Sequence, residues 1–203
     1  MKLSVESVSK TFGNRTLFQT LSFEAGPDTP VALSGPSGSG KTTLLRMILG
    51  LESCDAGRIR FADFASDAPK FGVVFQDNRL FEDFSVLENI LCVSPPVPQA
   101  RILEDLERLL PELRSDEPVW KLSGGEKRRL CLIRACRSVS DVWILDEPFA
   151  GLDAENRDRC LSYLTELREG RPLICALHRQ DIPSGFSTVC LQDEEKDEAA
   201  RAE

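Results

Sequence analysis

The sequence predicts an α/β domain in which a mostly parallel sheet is flanked by helices. Two observations carry that reading. Four short apolar runs are continuous rather than alternating, the pattern of strands buried on both faces. Amphipathic helical stripes fill intervals between them. Each apolar run also ends on something polar. Val31-Ala32-Leu33 leads into Ser34-Gly35, and Gly72-Val73-Val74-Phe75 ends at Gln76. Val142-Trp143-Ile144-Leu145 ends at Asp146-Glu147, and Leu173-Ile174-Cys175-Ala176-Leu177 ends at His178. Ligands of open α/β sheets bind beyond the carboxyl ends of the strands, so these four termini are expected to face one crevice.

Taken in order, the N-terminal part differs from the rest. Leu3 to Val8, Thr16 to Ala25 and Arg58 to Phe64 read as half-exposed strands separated by turn residues. After the first apolar run, Leu44, Leu45, Ile48 and Leu49 share a helical face that Gly50 closes. Pro95-Pro96-Val97-Pro98 is a stiff break after Leu91. Beyond it, Ile102, Leu106, Leu109, Leu110 and Leu113 form a stripe opposed by Glu104, Asp105, Glu107 and Arg108. Cys160, Leu161, Leu164 and Leu167 form another, stopped by Gly170 and Pro172. Neither an internal repeat nor a low-complexity linker is present.

Composition excludes several classes. With 203 residues, 41% hydrophobic and 29% charged, the chain is of ordinary globular type. A net charge of -8 opposes broad nucleic-acid binding, and no nucleic-acid partner is expected. The acidic run Asp193 to Glu198 reads as a solvated tail. Seven cysteines without a C-x-x-C pair suggest neither a disulfide framework nor a zinc site, which fits a reducing cytoplasm. The N-terminus alternates like a strand and has no signal-peptide core. No run of 18 apolar residues occurs, so membrane contact is expected through a partner.

Gly35-Pro36-Ser37-Gly38-Ser39-Gly40-Lys41-Thr42 matches G-x-x-x-x-G-K-[ST] after a strand and before a helix, the context a phosphate loop requires. Glycines there let successive N–H groups aim at an anion, and the helix N-terminus adds positive potential. Lys41 is expected to reach the β- and γ-phosphates of ATP, Thr42 to ligate Mg²⁺, and Thr43 to complete the nucleotide contacts. Asp146 supplies the carboxylate expected to hold Mg²⁺, directly or through water, and Glu147 is placed to orient and polarise the attacking water. Two acids after an apolar run are by themselves an ordinary strand end; beside a phosphate loop they read as catalytic. A single histidine is more often structural than catalytic, but the place of His178 at a strand terminus favours a role in the crevice.

Leu122-Ser123-Gly124-Gly125-Glu126 precedes a helix carrying Lys127, Arg128, Arg129, Arg134 and Arg137. A capping turn accounts for Ser123 and Glu126 but not for both glycines, so a second anion site is expected. The basic residues lack interleaved aromatics and read as a helix face making structural ion pairs.

The phosphate loop, the Ser-Gly-Gly signature, the Ile144-Leu145-Asp146-Glu147-Pro148 strand end and Gly151-Leu152-Asp153 occur in an order that resembles ATP-binding cassette (ABC) ATPases from about Leu3 to His178. Gln76 resembles the family's Q-loop residue, His178 its switch histidine, and Phe12 the aromatic residue that stacks on adenine, where Tyr is commoner. Glu126 stands in place of the usual Gln. The resemblance implies a P-loop NTPase core (about 1–75 and 139–192), an N-terminal antiparallel β subdomain, a compact helical subdomain (about 77–138), and the acidic tail 193–203. It implies Lys41, Gln76, Glu147 and His178 as catalytic residues and Thr42, Gln76 and Asp146 as Mg²⁺ ligands. It also implies an ATP-dependent head-to-tail dimer, with itself or a homologous ATPase subunit, in which Ser123, Gly124 and Gly125 of one subunit cap the other's ATP and Asp153 sits at the seam. The nearness of His178 to the end leaves no expected room for a C-terminal regulatory domain.

The function that the resemblance implies is that of an ATP hydrolase working through separate transmembrane permease subunits. Such a subunit is peripheral on the cytoplasmic face of the membrane, with a substrate-binding protein as a further expected partner. Phe81 to Ile90 resembles the stretch after the Q-loop in importer subunits, and import is the expected direction. The alternatives are a lipid or lipoprotein exporter's ATPase and a soluble, non-transport cassette ATPase.

Overall fold

The computed structural model describes residues 1–65, 69–94 and 97–191. In chain order its elements are β1 (Lys2–Phe12), β2 (Arg15–Ala25), β3 (Val31–Ser34), α1 (Lys41–Ile48), β4 (Ala56–Ala62), β5 (Phe71–Val74) and α2 (Val86–Leu91). They continue with α3 (Gln99–Leu109), α4 (Gly124–Arg137), β6 (Val142–Asp146), α5 (Ala154–Leu167), β7 (Leu173–Ala176) and β8 (Ser187–Cys190). The acidic tail 193–203 and Pro95-Pro96 lie outside the described residues. The chain divides into two compact units, Met1–Pro69 with Gly170–Glu203, and Lys70–Glu169.

In the first unit β1 pairs antiparallel with both β2 and β4. Alternation along β1 buries Leu3, Val5 and Val8, as a one-sided sheet requires. β1 runs past Val8 to Phe12 after a register shift, with Ser7 at φ 50°, and such bulges lengthen a strand while bending it. β4 stops two residues short of Phe64 because Asp63 turns left-handed at φ 62°. β3 lies between β7 and β8 and is parallel to both. All four residues of β3 and of β7 are buried, which is why these runs are continuous rather than alternating. β8 escapes sequence reading because Ser187-Thr188-Val189-Cys190 is short, polar and largely exposed. Helix α1 buries Leu44, Leu45, Met47 and Ile48, and Gly50 ends it at φ 70° with its N–H on the Met47 carbonyl at 3.0 Å.

In the second unit β5 and β6 run parallel from Phe71↔Val142 to Val74↔Leu145. Gly72 permits their close packing. A Cβ there would meet Trp143 Cδ1 at 2.7 Å and the Ala135 carbonyl at 2.6 Å. Trp143 is fully buried and donates its indole N–H to Ser140 Oγ at 3.0 Å. Helices α3, α4 and α5 bury Ile102, Leu106 and Leu109, Leu130, Leu132 and Ile133, and Cys160, Tyr163 and Leu164 respectively. Helix α3 ends at Leu109, yet Leu110 stays buried as the chain leaves it. Helix α2, absent from the sequence reading, is set by a capping box: Ser85 Oγ accepts from the Glu88 N–H, and Glu88 accepts from the Ser85 N–H at 2.8 Å. Among the described residues no helix is long and apolar enough to cross a membrane. Cys131, Cys136, Cys160 and Cys175 are buried thiols; burial pushes the Cys131 thiol up to about 11.

Candidate functional site

The first unit holds the phosphate loop. The Ser39 N–H donates to the Pro36 carbonyl at 3.2 Å, and the Gly40 carbonyl receives the Leu44 N–H at 2.8 Å, which opens α1. Gly40 caps that helix at φ 93°, a region that L side chains enter at a cost. Gly35 is sterically obligatory, since a Cβ there would lie 2.2 Å from the Leu191 carbonyl. Arg15 buttresses the loop from β2 by donating to the Gly38 carbonyl at 3.2 Å. Lys41 is buried, its ammonium held by the carbonyls of Gly35 at 2.7 Å and Pro36 at 3.0 Å. Ser39 is 2% exposed and its hydroxyl has no hydrogen-bond partner among the described residues. Buried polar groups rarely stay unsatisfied, so this hydroxyl fits a bound phosphate. Ser37 and Gly38 are exposed on the same turn, and Thr42 and Thr43 follow in the first turn of α1.

Phe12 ends β1 with its ring half exposed. Lys10 lies over it at 4.8 Å and is itself tied to Glu52 at 2.9 Å and Asp55 at 3.3 Å. The Glu52 hydrogen bond is the main cause holding the Lys10 ammonium above its ordinary pKa. A cation–π contact on one face leaves the ring's remaining surface for stacking. His178 directly follows Leu177, whose N–H extends the β7 pairing to the Leu33 carbonyl at 3.0 Å, and is exposed.

The second unit carries the acidic pair. Asp146 is the buried last residue of β6, and Glu147 follows it at φ 49°. For a non-glycine residue that conformation costs about 1–2 kcal/mol. Gln76 is exposed just beyond β5. Arg128 joins these two strand ends and is 3% exposed. Its guanidinium donates to the carbonyls of Phe75 at 2.6 Å, Gln76 at 3.2 Å, Asp146 at 2.7 Å and Glu147 at 2.7 Å and 3.0 Å. Burial lowers the pKa of Arg128 from its ordinary value.

The signature serine caps α4. The Ser123 N–H and hydroxyl donate to Glu126 at 2.7 Å and 2.6 Å, and these bonds hold the Glu126 carboxyl below its usual range. Among the described residues, a Cβ on Gly124 would meet nothing within 4 Å, and one on Gly125 only ordinary contacts. Asp153 caps α5 by accepting from the Asn156 N–H at 2.8 Å, and that bond lowers its pKa. Asn156 Oδ1 in turn accepts from Arg129 at 2.7 Å.

Each unit thus groups its share of the expected residues. The phosphate loop, Phe12 and His178 belong to one; Gln76, Ser123, Gly124, Gly125, Asp146, Glu147 and Asp153 belong to the other. The donor set expected for a cation is oxygen-only, from Thr42, Asp146 and Gln76, and suits a hard ion such as Mg²⁺ that keeps water and phosphate ligands. Among the described residues no group of three His, Cys, Asp or Glu forms a self-sufficient metal cage. Sequence reasoning missed the part played by the basic face of α4. Lys127 and Arg137 do make ion pairs, with Glu82 and Asp105, but Arg128, Arg129 and Arg134 bind carbonyl and amide oxygens. Period alone would have exposed one signal, because position 128 falls on the face of Cys131 and Leu132 that is buried.

Comparison with known proteins identifies the family. The sulfate/thiosulfate import ATP-binding protein CysA of Nephroselmis olivacea is 38% identical over 184 residues, covering 85% of this chain and 54% of that protein. The Nod factor export ATP-binding protein I of Paraburkholderia xenovorans is 37% identical over 191 residues, covering 87% of this chain and 62% of that protein. The chain therefore spans about half the length of the sulfate import relative. A dimeric ATP-binding cassette solved in a post-hydrolysis state with ADP and Pi shares the fold, with a TM-score of 0.77, 23% identity and 94% of each chain covered. The ABC transporter family model matches residues 18–150, a stretch holding the phosphate loop, Gln76, the signature glycines and the Asp146-Glu147 strand end, and the chain belongs to that family.

Proposed function

We propose that this chain is the ATP-binding and hydrolysing subunit of a membrane transporter whose transmembrane part lies in other polypeptides. The observation that carries the reading is the phosphate loop, where a buried Ser39 hydroxyl, without a hydrogen-bond partner among the described residues, sits inside a turn that only glycine at position 35 can make. Lys41 exchanges its two loop carbonyls for phosphate oxygens, and the N–H groups of 38–42 bind the remainder. Phe12 stacks on the base. Thr42, Asp146 and Gln76 would hold Mg²⁺, which neutralises charge on the β- and γ-phosphates when bound. Glu147 accepts a proton from the attacking water, and His178 hydrogen-bonds the γ-phosphate.

Gly124 and Gly125 support a shared nucleotide site. Glycine in a helix costs about 1 kcal/mol relative to alanine, and among the described residues nothing comes closer than ordinary contact to a Cβ at either position. The free space is explained by a phosphate held between this turn and a second subunit's phosphate loop. In a Glu147→Gln background, which retains ATP, light scattering should show dimers on adding ATP. Adding Gly124→Val should abolish them while leaving the melting temperature unchanged or raised. Dimers that persist with the valine would sink the shared-site reading.

The membrane partner is assigned to the exit from β5. Phe81 and Trp120 are 53% and 60% exposed, and Phe84 touches Phe81 with ring centroids 5.1 Å apart. Their backbone is fixed independently of the rings. Buried Asn89 bonds both the Phe81 N–H at 2.9 Å and its carbonyl at 3.0 Å, and the Val119 N–H reaches the Phe84 carbonyl at 3.0 Å. An apolar patch so held suits a short helix from a transmembrane subunit. Phe81→Ala should leave the isolated chain's ATPase within about twofold of wild type, yet weaken capture of its membrane partner by roughly tenfold or more. Lost basal activity with intact capture would reassign Phe81 to the nucleotide site.

Import is supported by the stretch 81–90 and by the sulfate/thiosulfate import relative. Export is the second reading, favoured by the Nod factor export relative at nearly equal identity.

A further inference from the structure

We propose that Arg128 is a positioning residue for hydrolysis, a clamp that locks the strand end bearing Gln76 to the strand end bearing Glu147. A buried guanidinium normally faces a carboxylate, because an unpaired charge out of water is costly. Here its strong partners are main-chain oxygens: Phe75 and Gln76 at the end of β5, Asp146 and Glu147 at the end of β6. Asn78 Oδ1 also accepts from it, at 3.4 Å.

The geometry fits arginine and little else. Nη1 serves the β5 end, Nη2 serves the β6 end, and Nε makes a second bond to the Glu147 carbonyl at 3.0 Å. The planar fork thereby fixes both separation and orientation of the two loops, which a lysine's single ammonium cannot. Glu147 needs such a restraint. At φ 49° it occupies a conformation that persists only when its surroundings over-determine it. Its carbonyl receives Arg128 twice and the Ala150 N–H at 3.1 Å. Without the clamp, the Glu147 backbone is expected to relax toward the common helical or extended regions, carrying its carboxylate off line. Because the same guanidinium holds Gln76, a displacement of the Q-loop is transmitted to Glu147 through one rigid group.

This inference rests on the reading of Glu147 as the base and Gln76 as a nucleotide-sensing residue. The test compares Arg128→Gln, Arg128→Lys and Glu147→Gln in steady-state ATPase assays of the purified chain, with melting temperatures measured in parallel. Both Arg128 variants should lower kcat by roughly 10- to 100-fold, the scale of a misplacement near 1 Å, with KM changed less than about threefold. Lysine should lose less than glutamine, since it retains the charge. If the glutamine variant does not fold, the lysine variant carries the test alone. In the Glu147→Gln background, the Arg128 changes should lower the residual rate no further, because the group they position is gone. Wild-type kcat in the folded Arg128→Lys variant overturns the proposal. So does a raised KM at constant kcat, or a full additional loss in the Glu147→Gln background. If instead Glu147→Gln itself turns over at the wild-type rate, the assignment of Glu147 has failed rather than the clamp.

Discussion

Glu147→Gln should bind ATP as tightly as the wild-type chain and hydrolyse it roughly 10²–10⁴-fold more slowly, the usual contribution of a positioned base. The substitution is nearly isosteric, and the backbone at position 147 is held by the Arg128 bonds to its carbonyl, which glutamine retains. The Asp146 carbonyl is likewise held by Arg128, at 2.7 Å. The loss would therefore belong to proton acceptance and not to a collapsed strand end. Phosphate release and fluorescent-nucleotide binding, measured on the same preparation, separate the two effects. Equal loss of binding and turnover would show that position 147 shapes the nucleotide pocket instead of serving the chemistry.

Much of this arrangement is legible in the sequence because its signals are local. The continuous runs at 31–33, 72–75, 142–145 and 173–177 become β3, β5, β6 and β7, all in parallel pairings described within their units. The phosphate loop is legible because each glycine answers a backbone demand, as the 2.2 Å approach at Gly35 shows. The features that escape depend on tertiary context. β8 is polar and exposed, and only its pairing with β3 makes it a strand. The extension of β1 to Phe12 needs a bulge that no periodicity announces. In the sequence Arg128 is one of several cations on a helix, and nothing there reveals that four carbonyls converge where its guanidinium ends. Charged residues announce a site when spacing sets their partners, and they hide one when distant backbone does.

The same hidden character attends the second large expected effect, which concerns stability. Arg137 in the last turn of α4 forms a bidentate pair with Asp105 of α3, through Nε to Oδ2 and through Nη2 to Oδ1 at 2.7 Å. The Asp105 side chain is 7% exposed and that of Arg137 19%. The hydrogen bond to Asp105 raises the Arg137 pKa well above its ordinary value. In the sequence Asp105 stands among the polar residues opposing the apolar stripe of α3, where a solvated carboxylate is the natural reading. The structure instead buries it against α4. Arg137→Ala would strand that carboxylate, and breaking a buried pair on one side costs roughly 3–5 kcal/mol. Because Arg137 retains some contact with water, the lower end, about 3 kcal/mol, is expected. For a domain of this size that corresponds to a fall in melting temperature of roughly 6–12 °C. Asp105→Asn should cost less, since the amide keeps one acceptor and carries no charge to strand. Replacing both residues, as Arg137→Met with Asp105→Leu, should recover most of the loss, because apolar side chains can fill the space without desolvating an ion. Urea denaturation of the wild type, Arg137→Met, Asp105→Leu and the double variant gives the coupling directly. A single Arg137→Ala change costing less than about 1 kcal/mol would mean that water reaches Asp105 and that the pair fastens α3 to α4 only weakly.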